Sequence, residues 1–241
     1  MSVTGVVTAL SSEARALGPA TRRADGLAAL GDGVLVAVGG MGCPAAGRAA
    51  RALLDAGVSA LVSWGLAGGL DPSLSAGTIC LPSLVVSGEG ARFPTDPAWR
   101  GILSAALGPT HLVVNGKLLT SACSIDSVDG KAAAYRASGA AAVDMESVSI
   151  AQVAAVRSLP FIAVRVIADT AVDALPRAVV SASREGTVRI SRLLIGIASS
   201  PKDIVPLVRL ALRYRAALRS LMAVARTGSL AFAAGAPGRL A

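Results

Sequence analysis

Short apolar runs rich in valine alternate along the chain with segments in which alanine and leucine recur at helical spacing. Buried strands are predicted over residues 3–10, 33–38, 60–63, 78–86, 112–120, 139–143 and 161–167. Helices are predicted from residue 11, over 44–56, from 144 to about 156, and over 182–198. Strands that alternate with helices indicate an α/β fold on a mostly parallel sheet, in which ligands bind beyond the carboxyl ends of the strands.

The C-terminal region has a composition of its own. Ser-Ser-Pro at 199–201 predicts a boundary between a catalytic domain (1–200) and a helical extension (201–241) that carries seven basic residues and one acid. If Ile204–Arg226 is a helix, five arginines occupy about 160° of its circumference and leucines occupy the other side. Such a helix either lies on an anionic membrane surface or packs its apolar face on its own domain, and the sequence leaves both open.

Composition excludes several classes of protein. Hydrophobic residues make up 53% of the 241 residues and charged residues 16%, which excludes a disordered chain. No apolar run reaches the roughly 20 residues of a membrane span and no secretory signal is recognisable, so we expect a cytoplasmic protein. Cys43, Cys80 and Cys123 lie far apart, which is typical of reduced cysteines rather than of a disulfide or a zinc site. The basic extension has few aromatic residues, which disfavours nucleic acid as a partner.

Three acidic residues stand where predicted strands give way to helices or loops. Glu13 lies in the first turn of a helix, where it either caps that helix or serves as a general base. Glu146 follows an apolar strand and either caps the next helix or accepts hydrogen bonds from both hydroxyls of a ribose. Asp169 ends the last predicted strand, where desolvation would raise its pKa and let it donate a proton, unless it is an ordinary solvated strand end.

Two glycine-rich segments follow predicted strands. Gly39–Gly42 lacks the spacing of a dinucleotide-binding loop and is equally well explained as a strand-to-helix turn. The segment Gly65–Gly69 (Gly-Leu-Ala-Gly-Gly) predicts a loop whose bare N–H groups let an anion or a sugar approach closely.

Taken in order along residues 3–200, these segments resemble the purine nucleoside phosphorylase and uridine phosphorylase superfamily, and most closely its methylthioadenosine and adenosylhomocysteine nucleosidases. The matching segments are Glu13, Gly40-Met41-Gly42, Gly65-Leu66-Ala67-Gly68-Gly69, Val143-Asp144-Met145-Glu146 and Arg165-Val166-Ile167-Ala168-Asp169. The resemblance implies a three-layer α/β/α fold with a twisted, mixed central sheet and a homodimer. It also implies an enzyme that cleaves N-glycosidic bonds without a metal or an organic cofactor.

The resemblance implies a role for each matching residue. Glu13 would activate the nucleophile, and Asp169 would protonate N7 of the purine. Met145 and Glu146 would hold the ribose. The remaining implied positions are Gly65, Leu66, Ala67 and Gly68 for the nucleophile or an anion, and Ser124 and Ile125 for the base.

Departures from the family pattern make the expected pocket more apolar. Leu66 replaces a serine of the glycine segment, and Ala168 replaces the serine before the acid. Residues 9–13 and 61–64 contain no arginine, although the phosphorylases carry phosphate-binding arginines there, so water is the favoured nucleophile. Phosphate stays open as a nucleophile, with three candidate ligands: Arg48, Arg51 and Arg165.

An apolar pocket also resembles that of the hopanoid-associated phosphorylases. This resemblance implies, as the substrate, an adenosine whose 5′ position carries a hopane, and adenine as a product. Residues 204–226 would then lie close to the lipid part of the substrate and would suit peripheral membrane contact. Two alternatives stay open: phosphorolysis of the same bond, and a non-catalytic nucleoside or lipid binder on the same fold.

Overall fold

The computed structural model describes residues 2–31, 33–174 and 204–231. The helix predicted over 182–198 and the boundary predicted at 199–201 lie outside these residues, so both stay predictions. Within the described ranges, twelve strands form one sheet. The strands are β1 Thr4–Thr8, β2 Thr21–Arg22, β3 Ala28–Leu30, β4 Val34–Val38, β5 Ala60–Gly69, β6 Ile79–Cys80, β7 Leu84–Ser87, β8 Arg92–Pro94, β9 Val113–Val114, β10 Lys117–Thr120, β11 Ala140–Asp144 and β12 Phe161–Asp169.

Helices cover both faces of this sheet. The α-helices are α1 Ser11–Ala16, α2 Cys43–Asp55, α3 Pro97–Leu107, α4 Val128–Ser138, α5 Ser147–Val156 and α6 Ile204–Arg226. Side chains alternate along β1, so Val6 packs with α1, α3 and α6 on one face and Val7 packs with α2 and α5 on the other. This arrangement confirms the predicted three-layer α/β/α fold.

The sheet contains both parallel and antiparallel strand pairs. β1 pairs in parallel with β4 and β5, and β5 pairs in parallel with β12. β11 runs antiparallel to β5, with Val143 opposite Gly68, so the end of β11 returns to the second half of β5. The functional elements therefore converge where β1, β5, β11 and β12 come together.

Two strand predictions and one loop prediction need correction. The segment 78–86 is divided into β6 and β7, because Pro82 between them has no N–H for a ladder hydrogen bond. The segment 112–120 is divided into β9 and β10 at Asn115-Gly116. The predicted loop Gly65–Gly69 is the second half of β5, because Gly65 to Gly68 pair with β12 and Gly68 and Gly69 pair with β11.

Helix α6 packs its inner face on the domain. Ala217, Leu221 and Val224 are buried against the face that carries α1 and α3. Its outer face stays exposed and includes Val208 and Leu212. None of the helices within the described ranges is long and apolar enough to cross a membrane.

Candidate active site

One cavity, of about 200 Å³, lies where these strands converge. Its walls come from the ends of β1, β11 and β12, the second half of β5, the loop before α4, and helix α6. The lining residues are Ala9, Leu10, Glu13, Met41, Leu66, Ala67, Gly68, Cys123, Ser124, Ile125, Val143, Asp144, Met145, Glu146, Ala168, Asp169 and Tyr214. Every predicted site residue except Gly65 therefore faces the same space.

Glu13 is a buried carboxylate with three backbone donors. Oε2 accepts from the N–H groups of Ala9 (3.1 Å) and Leu10 (2.9 Å), and Oε1 accepts from the N–H of Leu66 (2.9 Å). The Trp64 indole donates to the carbonyl of Glu13 (3.1 Å) and fixes α1 against β5. Burial raises the pKa of Glu13, and the Arg165 guanidinium opposes that rise. The result is a fixed carboxylate whose raised pKa makes it a better proton acceptor when it is ionised.

Gly65 lies directly behind this carboxylate. A Cβ at Gly65 would stand 2.5 Å from Nη1 of Arg165 and 2.6 Å from Oε1 of Glu13. No real side chain tolerates such distances, so the glycine is required for close packing and not for an anion-binding loop. At Gly68, an added Cβ would stand 3.4 Å from Oδ2 of Asp169.

Glu146 links the glycine turn to the end of β11. The N–H of Gly42 donates to Oε1 (2.8 Å), and the N–H of Met145 donates to Oε2 (3.2 Å). Gly39–Gly42 thus belongs to the site, since it supplies this donor and places Met41 in the cavity wall. Burial raises the pKa of Glu146 to about 6, opposed by Arg165 and reinforced by Asp144.

Arg165 forms the charged floor beneath these carboxylates. It is 1% exposed, and its Nη2 lies 2.7 Å from Oδ2 of Asp144 and 3.7 Å from Oε2 of Glu146. The same nitrogen donates to Ser63 Oγ (2.7 Å) and Ser147 Oγ (3.2 Å). Arg165 compensates the negative charge of the site, and its Nη2 is already occupied by these partners.

The predicted phosphate ligands do not come together. Arg165 does not line the cavity, and Arg48 is exposed on α2. Arg51 lines a different cavity, of about 640 Å³, between α2 and α5. Among the described residues, no arginine lines the cavity that holds Glu13 and Asp169.

Asp169 ends β12 and forms an ion pair that the sequence did not reveal. Lys131 on α4, fully buried, contacts Oδ2 of Asp169. Burial raises the pKa of Asp169, and the Lys131 ammonium opposes that rise. Only the tertiary structure brings a lysine 38 residues away in sequence to this acid.

Tyr214 is a second residue that sequence reasoning missed. It belongs to α6, lines the cavity, and shares a 2.6 Å hydrogen bond between its hydroxyl and Ser12 Oγ. Its position on the apolar side of the predicted helix marked it as packing, and no local pattern distinguished it. Ser124 and Ile125 lie in the cavity wall, in the loop before α4.

Comparison with known proteins identifies the family. A family model described as the phosphorylase superfamily matches residues 26–198. The chain belongs to the phosphorylase superfamily. Membership of this superfamily of N-glycosyl-bond-cleaving enzymes confirms the family and the enzyme class that the sequence predicts. The sequence matches no curated protein.

Solved structures share the superfamily fold along nearly the whole chain. The methylthioadenosine nucleosidase of Helicobacter pylori, with methylthioadenosine in its active site, aligns with 95% of this chain and 98% of its own at 15% identity and a TM-score of 0.68. The methylthioadenosine/S-adenosylhomocysteine nucleosidase of Neisseria meningitidis, in complex with methylthio-immucillin-A, aligns with 95% of this chain and 100% of its own, at 18% identity and a TM-score of 0.68. The futalosine hydrolase of Helicobacter pylori aligns with 95% of this chain and 97% of its own, at 16% identity and a TM-score of 0.68. At these identities the likeness establishes the fold.

Proposed function

We propose that this member of the superfamily hydrolyses the N-glycosidic bond of a 5′-substituted adenine ribonucleoside and releases adenine. The observation that supports this most directly is the meeting of Glu13, Glu146 and Asp169, from three distant parts of the chain, around one cavity. A non-catalytic binder would have no use for the buried carboxylates of Glu13 and Asp169 in one cavity, and each costs free energy to bury.

The reaction assigns one task to each carboxylate. The C1′–N9 bond breaks with its electron pair on the purine, and Asp169 gives a proton to N7. A water oxygen forms the new bond to C1′, and the proton of that water passes to Glu13. Glu146 accepts hydrogen bonds from O2′ and O3′ while positive charge develops on the ribose, and Met145 packs against the sugar. The products are adenine and the free 5-substituted ribose.

Water is the better-supported nucleophile. Phosphate binding usually relies on arginine forks or on an open nest of N–H groups. The described wall has no arginine, and the N–H of Leu66 already donates to Glu13. Phosphorolysis remains the second candidate, because the chain belongs to a superfamily named for that reaction.

The size and the lining of the cavity bear on the 5′ group of the substrate. The cavity of about 200 Å³ is smaller than the roughly 300–1,000 Å³ of typical ligand pockets, so a bulky 5′ group must extend past its rim. Leu10, Leu66 and Tyr214 contribute apolar surface to the described wall. Together with the resemblance to the hopanoid-associated phosphorylases, these residues support an adenosine that carries a hopane, within hopanoid biosynthesis.

Location and assembly belong to the same proposal. The outer face of α6 exposes Val208 and Leu212 beside arginines, which supports peripheral contact of a cytoplasmic enzyme with an anionic membrane. A homodimer is supported by the family resemblance and by Val156, which is 77% exposed at the edge of the groove between α2 and α5.

The test is release of the free base. The purified protein is incubated with adenosylhopane, methylthioadenosine, adenosylhomocysteine and inosine, each with and without inorganic phosphate, and adenine or hypoxanthine is quantified by chromatography. Adenine release that is independent of phosphate supports hydrolysis, and strict dependence on phosphate supports the second candidate. Binding of the nucleosides without release of any base would overturn the proposal in favour of a non-catalytic binder.

A further inference from the structure

The ion pair between Lys131 and Asp169 has an unusual setting. The Lys131 side chain is completely buried, and its ammonium has three acceptors. It contacts Oδ2 of Asp169 and donates to the carbonyl oxygens of Thr170 (2.8 Å) and Asp173 (2.9 Å). A lysine ammonium has three donors, so every one of its hydrogens is used. Both its position and that of its partner are therefore strongly constrained.

The ion pair divides the two oxygens of Asp169. Oδ2 is occupied by the ammonium, and none of the described residues donates a hydrogen bond to Oδ1. Asp169 lines the cavity, and its side chain is 13% exposed there. The oxygen left for a ligand is therefore Oδ1.

Local sequence explains why Lys131 can reach this point. Ser127 accepts a hydrogen bond from the N–H of Gly130 and starts α4, which ends at Gly139 in the left-handed conformation. This fixed helix directly follows the loop that carries Ser124 and Ile125, and Lys131 is its buried residue. The lysine consequently connects the wall expected to hold the base with the acid expected to protonate it.

We propose that Lys131 is a positioning residue for the reaction, whose buried ammonium holds Oδ2 of Asp169 so that Oδ1 delivers the proton to the departing base. This rests on the proposed function, since it assigns Asp169 as the general acid. Charged groups that face Asp169 are Lys131 from α4, Asp173 from the segment after β12 and Arg213 from α6. Arg213 forms its ion pair with Asp173, so among the residues that the structure describes Lys131 is the cation that contacts Asp169 directly.

The first test is Lys131→Met, assayed with the nucleoside that the wild-type protein cleaves best. We expect kcat to fall about 10²-fold, the size expected for a misplaced catalytic group, with KM nearly unchanged because the ribose contacts are intact. The basic limb of kcat/KM should move to higher pH, because the ammonium no longer favours ionised Asp169. A kcat and a pH profile equal to those of the wild type would overturn the proposal.

Lys117→Met is the matched control. Lys117 lies on β10 and donates to the carbonyl of Ser138, at the other end of α4 (3.3 Å). Its removal therefore takes away an ammonium that contacts the same helix but does not contact Asp169. Its pH profile should stay that of the wild type. An equal change in both variants would mean that any loss at α4 disturbs the site, and would refute a specific role for Lys131.

A double variant covers the case in which Lys131→Met does not fold because Asp169 is left buried and unpaired. Adding Lys131→Met to Asp169→Asn removes both charges. If Lys131 acts through Asp169, the double variant has the same kcat as Asp169→Asn alone. A further tenfold or larger loss in the double variant would contradict the proposal.

A measurement without substrate separates this inference from the proposed function. The carboxyl ¹³C resonance of Asp169, identified by its absence in Asp169→Asn, is followed against pH by NMR. We expect its midpoint to lie at higher pH in Lys131→Met than in the wild type, and equal midpoints would overturn the proposal. If the wild type released no base from any nucleoside while the midpoints differed, only the proposed function would fail.

Discussion

At the scale of single residues, the site is defined by how each carboxylate is held. Glu13 accepts three backbone hydrogen bonds, Glu146 accepts two, and Asp169 contacts a lysine. These partners offset the free-energy cost of burying the carboxyl groups and fix their geometry. Each therefore has a different environment, which is what a reaction with one base, one sugar ligand and one acid requires.

Asp169→Asn should lower kcat by about 10²–10⁴-fold, because the amide keeps the shape of the carboxyl group but has no proton to give to N7. The melting temperature should fall as well, because Lys131 is left buried without its carboxylate partner. Base release and thermal unfolding measure the two effects. Asp129→Asn, at an exposed acid of α4, is the control and should leave both unchanged. Wild-type turnover in Asp169→Asn would remove Asp169 from the mechanism.

The pKa of about 6 at Glu146 predicts a pH dependence of ribose binding. Below about pH 6 the carboxyl group is protonated and loses acceptor capacity, so affinity should fall as the pH falls; above it, affinity should be constant. Loss of charge-assisted hydrogen bonds corresponds to about 1.5–3 kcal/mol. Calorimetric titration of the inactive Asp169→Asn variant measures this with adenosine. A ligand without the diol, 2′,3′-dideoxyadenosine, should show no such trend, and equal trends for both ligands would refute the role of Glu146.

At the scale of elements, the second half of β5 decides the shape of the cavity. Its glycines stay in the sheet because β11 and β12 both pair with them, whereas composition alone predicts a loop. The strand passes so close to Glu13 and Arg165 that only glycine fits at position 65. The lesson is that a glycine run marks close packing as readily as it marks a ligand loop.

Gly65→Ala should disturb both stability and activity. The added Cβ would overlap Glu13 and Arg165, so we expect a loss of about 1–3 kcal/mol in the free energy of unfolding and a clear fall in kcat. Gly88→Ala is the matched control, since a Cβ there has open space and the backbone conformation is ordinary. Urea denaturation and base release follow the two effects. Equal behaviour of the two variants would show that Gly65 is not sterically required.

At the scale of the whole molecule, α6 has two different faces. Its inner face is buried in the domain and contributes Tyr214 to the cavity wall, which ties the C-terminal region to the site. Its outer face combines exposed Val208 and Leu212 with Arg209, Arg215 and Arg219. Packing on the domain uses only one side of the helix. It is therefore compatible with contact between the other side and an anionic membrane surface.

If the outer face contacts membranes, charge reversal should abolish binding to anionic vesicles. Each arginine near such a surface contributes about 1 kcal/mol, so Arg215→Glu with Arg219→Glu should lower the partition coefficient at least tenfold. Co-sedimentation with phosphatidylglycerol vesicles measures this, and phosphatidylcholine vesicles should bind neither protein. Arg22→Glu with Arg23→Glu, on the exposed strand β2 and the turn after it, is the control. Failure of the wild type to bind phosphatidylglycerol would exclude membrane contact through this face.

By itself the sequence determined the α/β class, the elements around Glu13 and Glu146, and the end of β12 at Asp169. These follow from local signals: valine-rich runs, a helix start, and acids placed directly after apolar strands. Pairing between distant strands decided that Gly65–Gly69 is a strand, and helix packing decided that Lys131, Arg165 and Tyr214 surround the acids. Such contacts depend on which elements meet in space, and a buried lysine or a packed tyrosine has no local pattern that distinguishes it from an ordinary helix residue.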